Sequence, residues 1–379
     1  MISISKLWCE TSTPSDRLRY GREASGPVVV FNATRRCNLA CAHCYSASTN
    51  RADPDELNTD EAYALIDDLA ALGVPVLLLS GGEPMMRGDL TQLIDRAARA
   101  GIRTALSTNG TLLTGWAVEA LLEAGLRYAG ISLDGLRDAN DRIRGRRGAF
   151  DEAVAGIRNA RRAGLKAGLR FTITRDNADQ IAGVFRLVAE EKIQRVCFYH
   201  LVPTGRAAAD AAPDAERTRE IIDEIIDRTA TLHDAGNPVE VLTVDNHADA
   251  PYVYLRLLRD KPAQAERCLE LLRAQGGNAS GQRIGCVSWN GDAHPDQFWR
   301  GHVLGNVRET PFSDIWNGSG GSGLLAALRD RRRRLKGRCA TCRWLDICNG
   351  NLRARAEAAT GDPWATDPAC YLTDEETAA

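Results

Sequence analysis

The sequence predicts an α/β fold in which buried parallel strands alternate with amphipathic helices. Between residues 28 and 201, short runs of β-branched and other apolar residues alternate with stretches whose apolar residues recur at helical spacing. Glycines follow several of the helical stretches, where a left-handed residue commonly ends a helix. Regular β-then-α alternation requires right-handed crossovers and a parallel sheet, so the repeats form either an open doubly wound sheet or an incomplete barrel.

Six runs are predicted as the strands of this sheet. They span residues 28–32, 74–79, 102–106, 128–133, 168–174 and 195–201. In the helical stretch 59–72 the apolar residues fall on one face, and Thr59 is expected to be the N-cap. Six β/α units therefore form the first part of the chain.

Changes in composition divide the chain into four predicted segments. Residues 1–25 form an N-terminal extension and residues 26–206 contain the β/α repeats. Residues 207–239 form a small-residue linker followed by a bridging helix, and residues 240–379 form a loop-rich, cysteine-rich region. The larger domain therefore precedes a smaller one.

Charge and hydropathy exclude several classes of protein. The 48 Lys and Arg nearly balance the 50 Asp and Glu, so no global basic field favours nucleic acid or an anionic membrane surface. No window approaches the roughly 18 apolar residues of a membrane span, and the start lacks the pattern of a signal peptide. We therefore expect a cytoplasmic protein, in which grouped cysteines are metal ligands or catalytic groups rather than disulfides.

Three of the eleven cysteines lie together directly after the first predicted strand. The spacing Cys37-x3-Cys41-x2-Cys44 lets three thiolates bind three irons of a 4Fe-4S cube and leave the fourth iron open to a substrate. A structural zinc site with His43 as a fourth ligand is the alternative. The pattern favours a cluster with an open coordination site.

Small polar motifs follow the next three predicted strands. They are Ser-Gly-Gly-Glu-Pro at 80–84, Ser-Thr-Asn-Gly at 107–110 and Ser-Leu-Asp-Gly at 132–135. In α/β folds the carboxyl ends of parallel strands form the active face. We therefore expect these motifs and the cysteine loop to converge on one ligand.

Together the cysteine loop and the three motifs resemble the radical S-adenosylmethionine (SAM) enzymes over residues 26–206. The resemblance implies a partial (β/α)6 TIM-like barrel, a 4Fe-4S cluster held by Cys37, Cys41 and Cys44, and a 5′-deoxyadenosyl radical formed from SAM. It assigns Gly81, Gly82 and Glu83 to the SAM amino group, Ser132 and Asp134 to the ribose, Ser107 and Asn109 to the same ligand, and His43 to the adenine. Arg144 and Arg170 are candidates for the SAM carboxylate, or else ordinary surface or salt-bridge arginines.

The C-terminal region resembles the SPASM/twitch extensions of these enzymes. Cys339-x2-Cys342-x5-Cys348 is the start of their cysteine run, but Leu352 and Thr310 stand where a two-cluster extension has further cysteines. The resemblance implies one auxiliary 4Fe-4S cluster on Cys339, Cys342, Cys348 and Cys370. A zinc site with the same four ligands is the rival.

Longer stretches resemble the tetrapyrrole-modifying branch of the superfamily. They are residues 4–23, 198–206, 243–254, 276–280, 286–300 and 337–351, although residues 203–207 depart from the expected wording. The resemblance implies removal of acetate side chains from 12,18-didecarboxysiroheme in siroheme-dependent haem biosynthesis, with a flavodoxin- or ferredoxin-type electron donor. Propionate removal in haem d1 biosynthesis is the first alternative.

Two other functions stay open at this point. Radical SAM peptide maturases also carry SPASM regions, but they generally have a peptide-binding domain before the cysteine motif, and here 36 residues precede Cys37. A simple iron-sulfur electron carrier would leave the strand-end motifs unexplained. An enzyme that modifies an iron tetrapyrrole is the favoured hypothesis.

Residues that contact the substrate are less readable. Tyr199 and His200, at the end of the sixth strand, are predicted as catalytic, and Asp245, His247 and His294 as axial, acid-base or carboxylate-binding groups, with structural roles open for each. A macrocycle with several carboxylates needs cationic partners. The candidates are Arg206, Arg256, Arg300 and Arg331 to Arg334.

Overall fold

The computed structural model describes residues 1–9, 26–318 and 323–378. Part of the predicted N-terminal extension therefore lies outside the described residues. The strands are β1 (Ile2–Ser3), β2 (Val28–Thr34), β3 (Val76–Gly81), β4 (Arg103–Thr108), β5 (Tyr128–Ser132), β6 (Ala167–Ile173), β7 (Arg195–His200), β8 (Glu240–Val244), β9 (Ile284–Val287), β10 (Asp292–His294) and β11 (Gly305–Asn306).

Helices cover the sheet and fill the C-terminal region. They are α1 (Ile4–Cys9), α2 (Thr59–Ala71), α3 (Leu90–Arg99), α4 (Gly115–Glu123), α5 (Arg137–Arg144), α6 (Ala149–Arg162), α7 (Ile181–Glu190), α8 (Ala215–Asp234), α9 (Asp249–Asp260), α10 (Pro262–Gln275), α11 (Phe312–Asn317), α12 (Gly323–Arg329), α13 (Leu345–Cys348), α14 (Arg353–Thr360) and α15 (Asp374–Thr377). None of the described helices is long and apolar enough to cross a membrane.

The strands form one sheet in the order β1-β8-β7-β6-β5-β4-β3-β2-β9-β10-β11. Strands β2 to β8 pair in parallel with one another in chain order, and β9 pairs in parallel with β2. At the edges, β1 pairs antiparallel with β8, and β10 pairs antiparallel with β9 and β11. The six predicted strands correspond to β2 through β7, so the predicted α/β fold is confirmed. The sheet also takes in β8 and β9, and it therefore crosses the domain boundaries predicted at residues 206 and 240.

The start of α2 shows how local sequence sets an element. Asn58, rather than Thr59, is the N-cap: its side chain accepts from the backbone N–H of Glu61, and the Glu61 side chain accepts from that of Asn58. The prediction of Thr59 as N-cap was wrong because both residue types can cap and the reciprocal capping box decides for Asn58. Leu65 and Leu69 are buried on the predicted face.

Side chains alternate between the helix layer and the interior of the curved sheet. Phe171 and Phe198 touch edge to face at 5.7 Å, and Phe185 of α7 stacks on Phe198, so this set faces the helices. Successive strand residues point to opposite faces. Arg170 and Tyr199 therefore face the interior, where the Arg170 guanidinium lies 5.7 Å from the Tyr199 ring.

Candidate iron-sulfur and substrate site

The three-cysteine loop leaves the carboxyl end of β2. The Cys37 N–H donates to the Thr49 carbonyl oxygen at 2.8 Å, and Cys37 and Cys41 are buried. Burial raises the pKa of Cys37 to about 12, and the charges of Cys41 and Cys44 act in the same direction. The three thiols are therefore close neighbours, which fits one cluster.

Cys44 differs from the other two cysteines of the loop. Its burial raises the pKa, but the Ser46 hydroxyl, the Ser48 backbone N–H and the charge of Arg206 outweigh burial and leave the pKa below its usual value. The Ser46 oxygen lies 3.3 Å and the Ser48 nitrogen 3.5 Å from the Cys44 sulfur. A thiolate is the form that binds iron, so this cysteine is prepared for the metal.

Arg206 holds the cysteine loop in place through hydrogen bonds to its backbone. Its Nε donates to the Cys41 carbonyl oxygen at 2.9 Å, its Nη1 to that of Ser48 at 2.7 Å, and its backbone N–H to that of Cys44 at 3.0 Å. From the sequence, Arg206 was a candidate to bind a carboxylate of the substrate. In the structure its guanidinium instead binds the backbone of the loop.

A buried ion pair connects the loop to β5 and α5. Asp134 Oδ2 lies 2.5 Å from Arg144 Nη2 and 3.1 Å from His43 Nε2, while Asp134 Oδ1 accepts from the Thr172 N–H. Burial raises the pKa of Asp134, but the charges of Arg144 and His43 outweigh it and lower the pKa. Arg144 also donates to the Cys41 sulfur at 3.6 Å. The triad therefore holds a cation against a cluster thiol.

The Gly-Gly-Glu motif needs its glycines because it runs against the backbone of β2. A Cβ at Gly81, which has φ +120°, would lie 2.3 Å from the Thr34 carbonyl oxygen, and one at Gly82 would lie 2.2 Å from that of Arg36. The Gly82 and Glu83 N–H groups donate to these same two oxygens. Close approach to β2 thus fixes the motif beside the cysteine loop.

Glu83 is fully buried, and its carboxylate accepts hydrogen bonds from the surrounding residues. Its Oε1 accepts from the Thr108 hydroxyl at 2.8 Å and the Met85 N–H at 3.1 Å, and its Oε2 from the Asn109 N–H at 2.7 Å. Burial raises its pKa to about 6. No ion pair in the described residues reaches this carboxylate, so the ammonium group of SAM fits as its missing cation.

Polar side chains line the interior below the motif. Ser107 accepts a hydrogen bond from Arg170 Nη1 at 2.6 Å, and the Asn109 amide donates to the Cys37 sulfur at 3.9 Å. Ser132 lies opposite Arg170 in the β5–β6 register. Within the described chain no carboxylate pairs with Arg170, which leaves its charge available to an anionic ligand.

Tyr199 and His200 lie on opposite sides of β7. His200 Nε2 lies 3.0 Å from Asp249 Oδ2, and the Tyr371 hydroxyl donates to Asp249 Oδ1 at 2.8 Å. His200 therefore points into the helix layer and links α9 to the C-terminal segment. Tyr199 faces the interior beside Arg170. Because successive residues of a strand point to opposite faces, the two predicted catalytic residues lie on opposite sides of the sheet.

The second cysteine group assembles four thiols from separate segments. Burial raises the pKa of Cys348 well above its usual value, and Cys370, Cys339 and Cys342 each add to the effect. Cys370, twenty-two residues after Cys348 in the chain, is therefore close enough to the other three thiols to interact with them electrostatically. Among the described residues no three His, Cys, Asp or Glu side chains surround one single-ion position, and each thiolate of a cube binds a different iron.

A buried network brings Cys370 to the other three cysteines. Arg355 pairs with Asp367 at 2.8 Å and also donates to the carbonyl oxygens of Leu201 and Asp245. The Cys370 N–H donates to the Asp367 carbonyl oxygen at 3.0 Å. The fourth cysteine is therefore tied to the ends of β7 and β8.

Three titratable groups, two that follow β8 and one that follows β10, have buried, unpartnered atoms. In the described part of the chain, Asp245 Oδ2, His247 Nδ1 and Asp296 Oδ2 have no hydrogen-bond partner. Burial raises the pKa of Asp245 to about 6, with the charge of Asp296 acting in the same direction, and lowers that of His247 well below its usual value. Asp245 also has φ +68°, a left-handed conformation that few residue types other than glycine, Asn and Asp adopt.

Sequence reasoning identified Asp245 and His247 but missed Asp296. Its only local signal is the turn Asp-x-Phe-Trp, in which Asp296 Oδ1 accepts the Phe298 and Trp299 N–H groups. His294 was also predicted as a possible functional group. Its Nδ1 hydrogen-bonds to the His302 carbonyl oxygen at 3.0 Å, and its Nε2 hydrogen-bonds to the Ser288 hydroxyl at 2.9 Å. The structure thus gives His294 a scaffolding environment.

The remaining candidate arginines have different environments. Arg256 pairs with Asp223, Asp227 and Asp260 on the helical surface. Arg300 lies over the Trp289 ring at 4.7 Å, donates to the Tyr45 carbonyl oxygen, and has no ion pair among the residues described. Arg300 is therefore the candidate whose charge is still available beside the cysteine loop.

Exposure separates the members of the basic run. Arg331 is buried, whereas Arg332, Arg333 and Arg334 are exposed. Arg334 lies over the Trp364 ring at 5.8 Å. The run is therefore not one uniform carboxylate-binding surface.

This arrangement of an open three-cysteine loop, a buried Gly-Gly-Glu motif and a second four-cysteine group defines a radical SAM enzyme with an auxiliary iron-sulfur domain. The radical SAM superfamily matches residues 31–188, and the iron-sulfur cluster-binding domain named SPASM matches residues 280–343. The chain belongs to the radical SAM superfamily and binds SAM and iron-sulfur clusters.

Full-length relatives place the chain in the tetrapyrrole-modifying branch. It is 51% identical to Fe-coproporphyrin III synthase of Methanosarcina barkeri, covering 99% of this chain and 98% of that one. It is 43% identical to pre-heme d1 synthase of Dinoroseobacter shibae over 95% and 89% of the two chains. Streptococcus suis SuiB shares the fold, with a TM-score of 0.72, 21% identity and coverage of 92% and 78%.

Proposed function

We propose that this protein removes acetate side chains from 12,18-didecarboxysiroheme and leaves an iron coproporphyrin, a step of siroheme-dependent haem biosynthesis. The observation that carries the proposal is the 51% identity, over nearly the whole of both chains, with Fe-coproporphyrin III synthase. Identity to pre-heme d1 synthase is lower, at 43%, over 89% of that protein.

The proposal gives each cysteine group one cluster. Cys37, Cys41 and Cys44 hold the cluster that binds SAM, and Cys339, Cys342, Cys348 and Cys370 hold the auxiliary cluster. When bound and reduced, the first cluster and SAM supply the 5′-deoxyadenosyl radical that removes a hydrogen atom from the substrate. A flavodoxin- or ferredoxin-type protein provides the electrons.

Glu83 and Arg170 would orient SAM through opposite charges. The buried Glu83 carboxylate accepts the ammonium group, and the unpaired Arg170 guanidinium, held by Ser107, faces the interior from β6. His43 and Asp134 are held to Arg144, so their first effect is to keep the cation on the Cys41 thiol.

Arg300 and its neighbours suit a substrate carboxylate. Two guanidinium groups, from Arg300 and Arg35, lie over the Trp289 ring at 4.7 and 5.4 Å, and each charge disfavours the other. Arg35 is paired with Asp53, whereas Arg300 is not. A propionate of the macrocycle would relieve the repulsion and satisfy the charge of Arg300.

Asp245, His247 and Asp296 suit the iron and the protons of the reaction. His247 is held neutral by burial, and its Nδ1 is unpartnered in the described chain, as a ligand to haem iron requires. Burial raises the pKa values of both Asp245 and Asp296, and that of Asp245, at about 6, suits proton exchange near neutral pH. These groups support substrate binding between the strand ends and the C-terminal region.

Product analysis tests the proposed function. Cluster-loaded protein is incubated without oxygen with SAM, a reductant and 12,18-didecarboxysiroheme, and the macrocycle is analysed by mass spectrometry. We expect loss of two acetate-derived fragments with the propionates retained. Loss of propionates would support the second candidate, favoured by the pre-heme d1 synthase relative, and an unchanged macrocycle without stimulated SAM cleavage would refute both.

Substrate binding tests the role of Arg300 apart from turnover. Arg300→Gln should weaken binding by tenfold or more in a Soret titration, because a charge-assisted hydrogen bond contributes about 1.5–3 kcal/mol. Arg256→Gln, which removes a partly buried cation already paired with three carboxylates, is the control and should bind normally. Equal losses in both variants would mean that Arg300 does not contact a carboxylate.

A further inference from the structure

Two arginine side chains are completely buried in the C-terminal region. Arg331 is 1% exposed and Arg353 is 0% exposed, and both belong to the largest fully buried side chains of the described chain. A buried guanidinium is costly unless an anion compensates its charge. The groups around each guanidinium therefore decide whether its charge is compensated within the protein.

Neutral oxygens satisfy the hydrogen bonds of Arg331. Its Nη1 donates to Asn278 Oδ1 at 2.7 Å, its Nε to the Leu328 carbonyl oxygen at 2.8 Å, and its Nη2 to that of Ser280. Burial lowers the pKa of Arg331 to about 9, and the charge of Arg353 adds to this effect. The two cations therefore repel each other in the interior.

Arg353 is surrounded in the same way. Its Nη1 donates to the carbonyl oxygens of Pro363 at 2.9 Å and Ala365 at 2.7 Å, and its Nη2 to that of Gly350. Its Nε is buried and has no partner in the described residues. Within those residues, no ion pair joins a carboxylate to either Arg331 or Arg353.

The acids that interact with these arginines do not balance both charges. Asp362 acts electrostatically on Arg353, but it is partly exposed and already paired with Lys336. Asp296 acts electrostatically on Arg331, but burial raises the pKa of Asp296, and its Oδ1 accepts two backbone N–H groups. One carboxyl group with a raised pKa cannot neutralise two buried guanidinium groups. A further anion is needed in this region.

The four-cysteine group supplies that anion. Hydrogen bonds bring both arginines to the segment that contains Cys348. Arg353 donates to the carbonyl oxygen of Gly350, two residues after Cys348. Asn278, whose side chain binds Arg331, donates its N–H to the Cys348 carbonyl oxygen at 3.1 Å. A 4Fe-4S cube on four thiolates carries a net charge of −2 when oxidised and −3 after one electron is added.

We infer that Arg331 and Arg353 are the counter-ions of the auxiliary cluster and raise its reduction potential. Reduction adds one electron and no proton, so fixed nearby cations stabilise the more negative, reduced form more than the oxidised form. The inference rests on the proposed cluster ligands and does not depend on which tetrapyrrole is the substrate.

A redox titration followed by electron paramagnetic resonance tests the inference. In SAM-bound holoprotein the auxiliary signal is the one that SAM does not alter. Arg353→Met and Arg331→Met should each shift its midpoint potential to a more negative value, whereas Arg353→Lys keeps the charge and should stay close to wild type. Arg217→Met, which breaks an exposed pair with Glu220, is the matched control and should leave the potential unchanged.

Stability measured with and without the cluster gives a second readout. In cluster-free protein Arg353→Met should unfold at the same or a higher denaturant concentration, because it removes an unpaired buried cation. In cluster-loaded protein the same change should speed iron loss to a chelator several-fold.

Two results would overturn the inference. One is an unchanged auxiliary potential in both Met variants. The other is an equal shift in Arg353→Met and Arg353→Lys, which would make the side chain a packing group rather than a counter-ion. Product analysis of the wild type is unaffected by either result, so failure of this inference is distinct from failure of the proposed function.

Discussion

The two cysteine groups differ in how their charge is compensated and in how the chain assembles them. In the barrel, Arg144 lies on the Cys41 thiol but is itself neutralised by Asp134. In the C-terminal region, Arg331 and Arg353 lie near the cysteines with no ion-paired carboxylate in the described residues. The cation beside the first group is therefore already neutralised by the protein, whereas the cations beside the second group are not, which is the basis of the counter-ion inference.

The two cysteine groups also differ in how far apart in the chain their cysteines and supporting residues lie. The first three cysteines lie within eight residues on one loop, and Arg206 and the Gly-Gly-Glu motif fix that loop. The fourth cysteine of the second group depends on a buried ion pair that reaches from α14 to the ends of β7 and β8. The first group is therefore formed by residues that are close together in the chain, whereas the second depends on contacts between distant segments.

Removing each cysteine group should have the largest effect. Wild-type protein reconstituted without oxygen should hold about eight irons per chain, as expected for two cubes. Replacing Cys37, Cys41 and Cys44 by Ala should remove half of the iron and all SAM cleavage. Replacing Cys339, Cys342 and Cys348 should remove the other half, and iron and zinc analysis checks both. Four irons and one zinc in the wild type would make the second site a zinc site.

Breaking the Arg355–Asp367 pair tests the long-range assembly of the second cysteine group. Arg355→Met leaves a buried carboxylate unpaired and should lower the free energy of unfolding by about 3–5 kcal/mol. It should also release iron from the C-terminal site before the barrel site, as seen by chelator kinetics. Arg217→Met should lower stability by less than about 1 kcal/mol. Equal iron loss from both sites would contradict the proposed link between this pair and Cys370.

Glu83→Gln should have a smaller effect, confined to the barrel site. The loss of a charged acceptor should weaken SAM binding by about 1.5–3 kcal/mol, while iron content stays unchanged. Equilibrium binding to cluster-loaded protein measures this loss. Loss of iron with normal SAM affinity in the remaining holoprotein would show that Glu83 supports the cluster rather than SAM.

The pH dependence sharpens the same test. The pKa of Glu83 is raised from 4.5 to about 6, so its ionisation destabilises the ligand-free fold as pH rises through 6. The SAM ammonium favours the ionised form, so SAM should bind about fourfold more weakly at pH 5.5 than at pH 7.5. Glu83→Gln should abolish this difference, and a difference that persists would assign it to another group.

The sequence predicted the features that depend on local spacing. Six strands, the cysteine loop and the strand-end motifs follow from hydrophobic alternation and from residues close together in the chain. The period of a strand also separates Tyr199 from His200, although residue type alone suggested a common role. The Asp249 partner of His200 lies forty-nine residues away, and no local pattern indicates it.

Charge roles were less predictable because they depend on distant partners. Arg206 and Arg331 look alike in sequence, but carbonyl oxygens from the cysteine loop surround one, and oxygens from 278–280 and 328 surround the other. Asp296 likewise gains its role only when the ends of the sheet are brought together. Tertiary packing, rather than residue type, decides whether a charge is paired, buried or available to a ligand.

The most direct test of the difference between the two sites is the response of each reduced cluster to SAM. Electron paramagnetic resonance spectra of reduced holoprotein are recorded with and without SAM, for the wild type and for both cysteine variants. The account predicts that SAM alters one of two signals, that this signal is absent without Cys37, Cys41 and Cys44, and that the C-terminal signal is unchanged. A SAM-induced change in the protein lacking the barrel cysteines would contradict it.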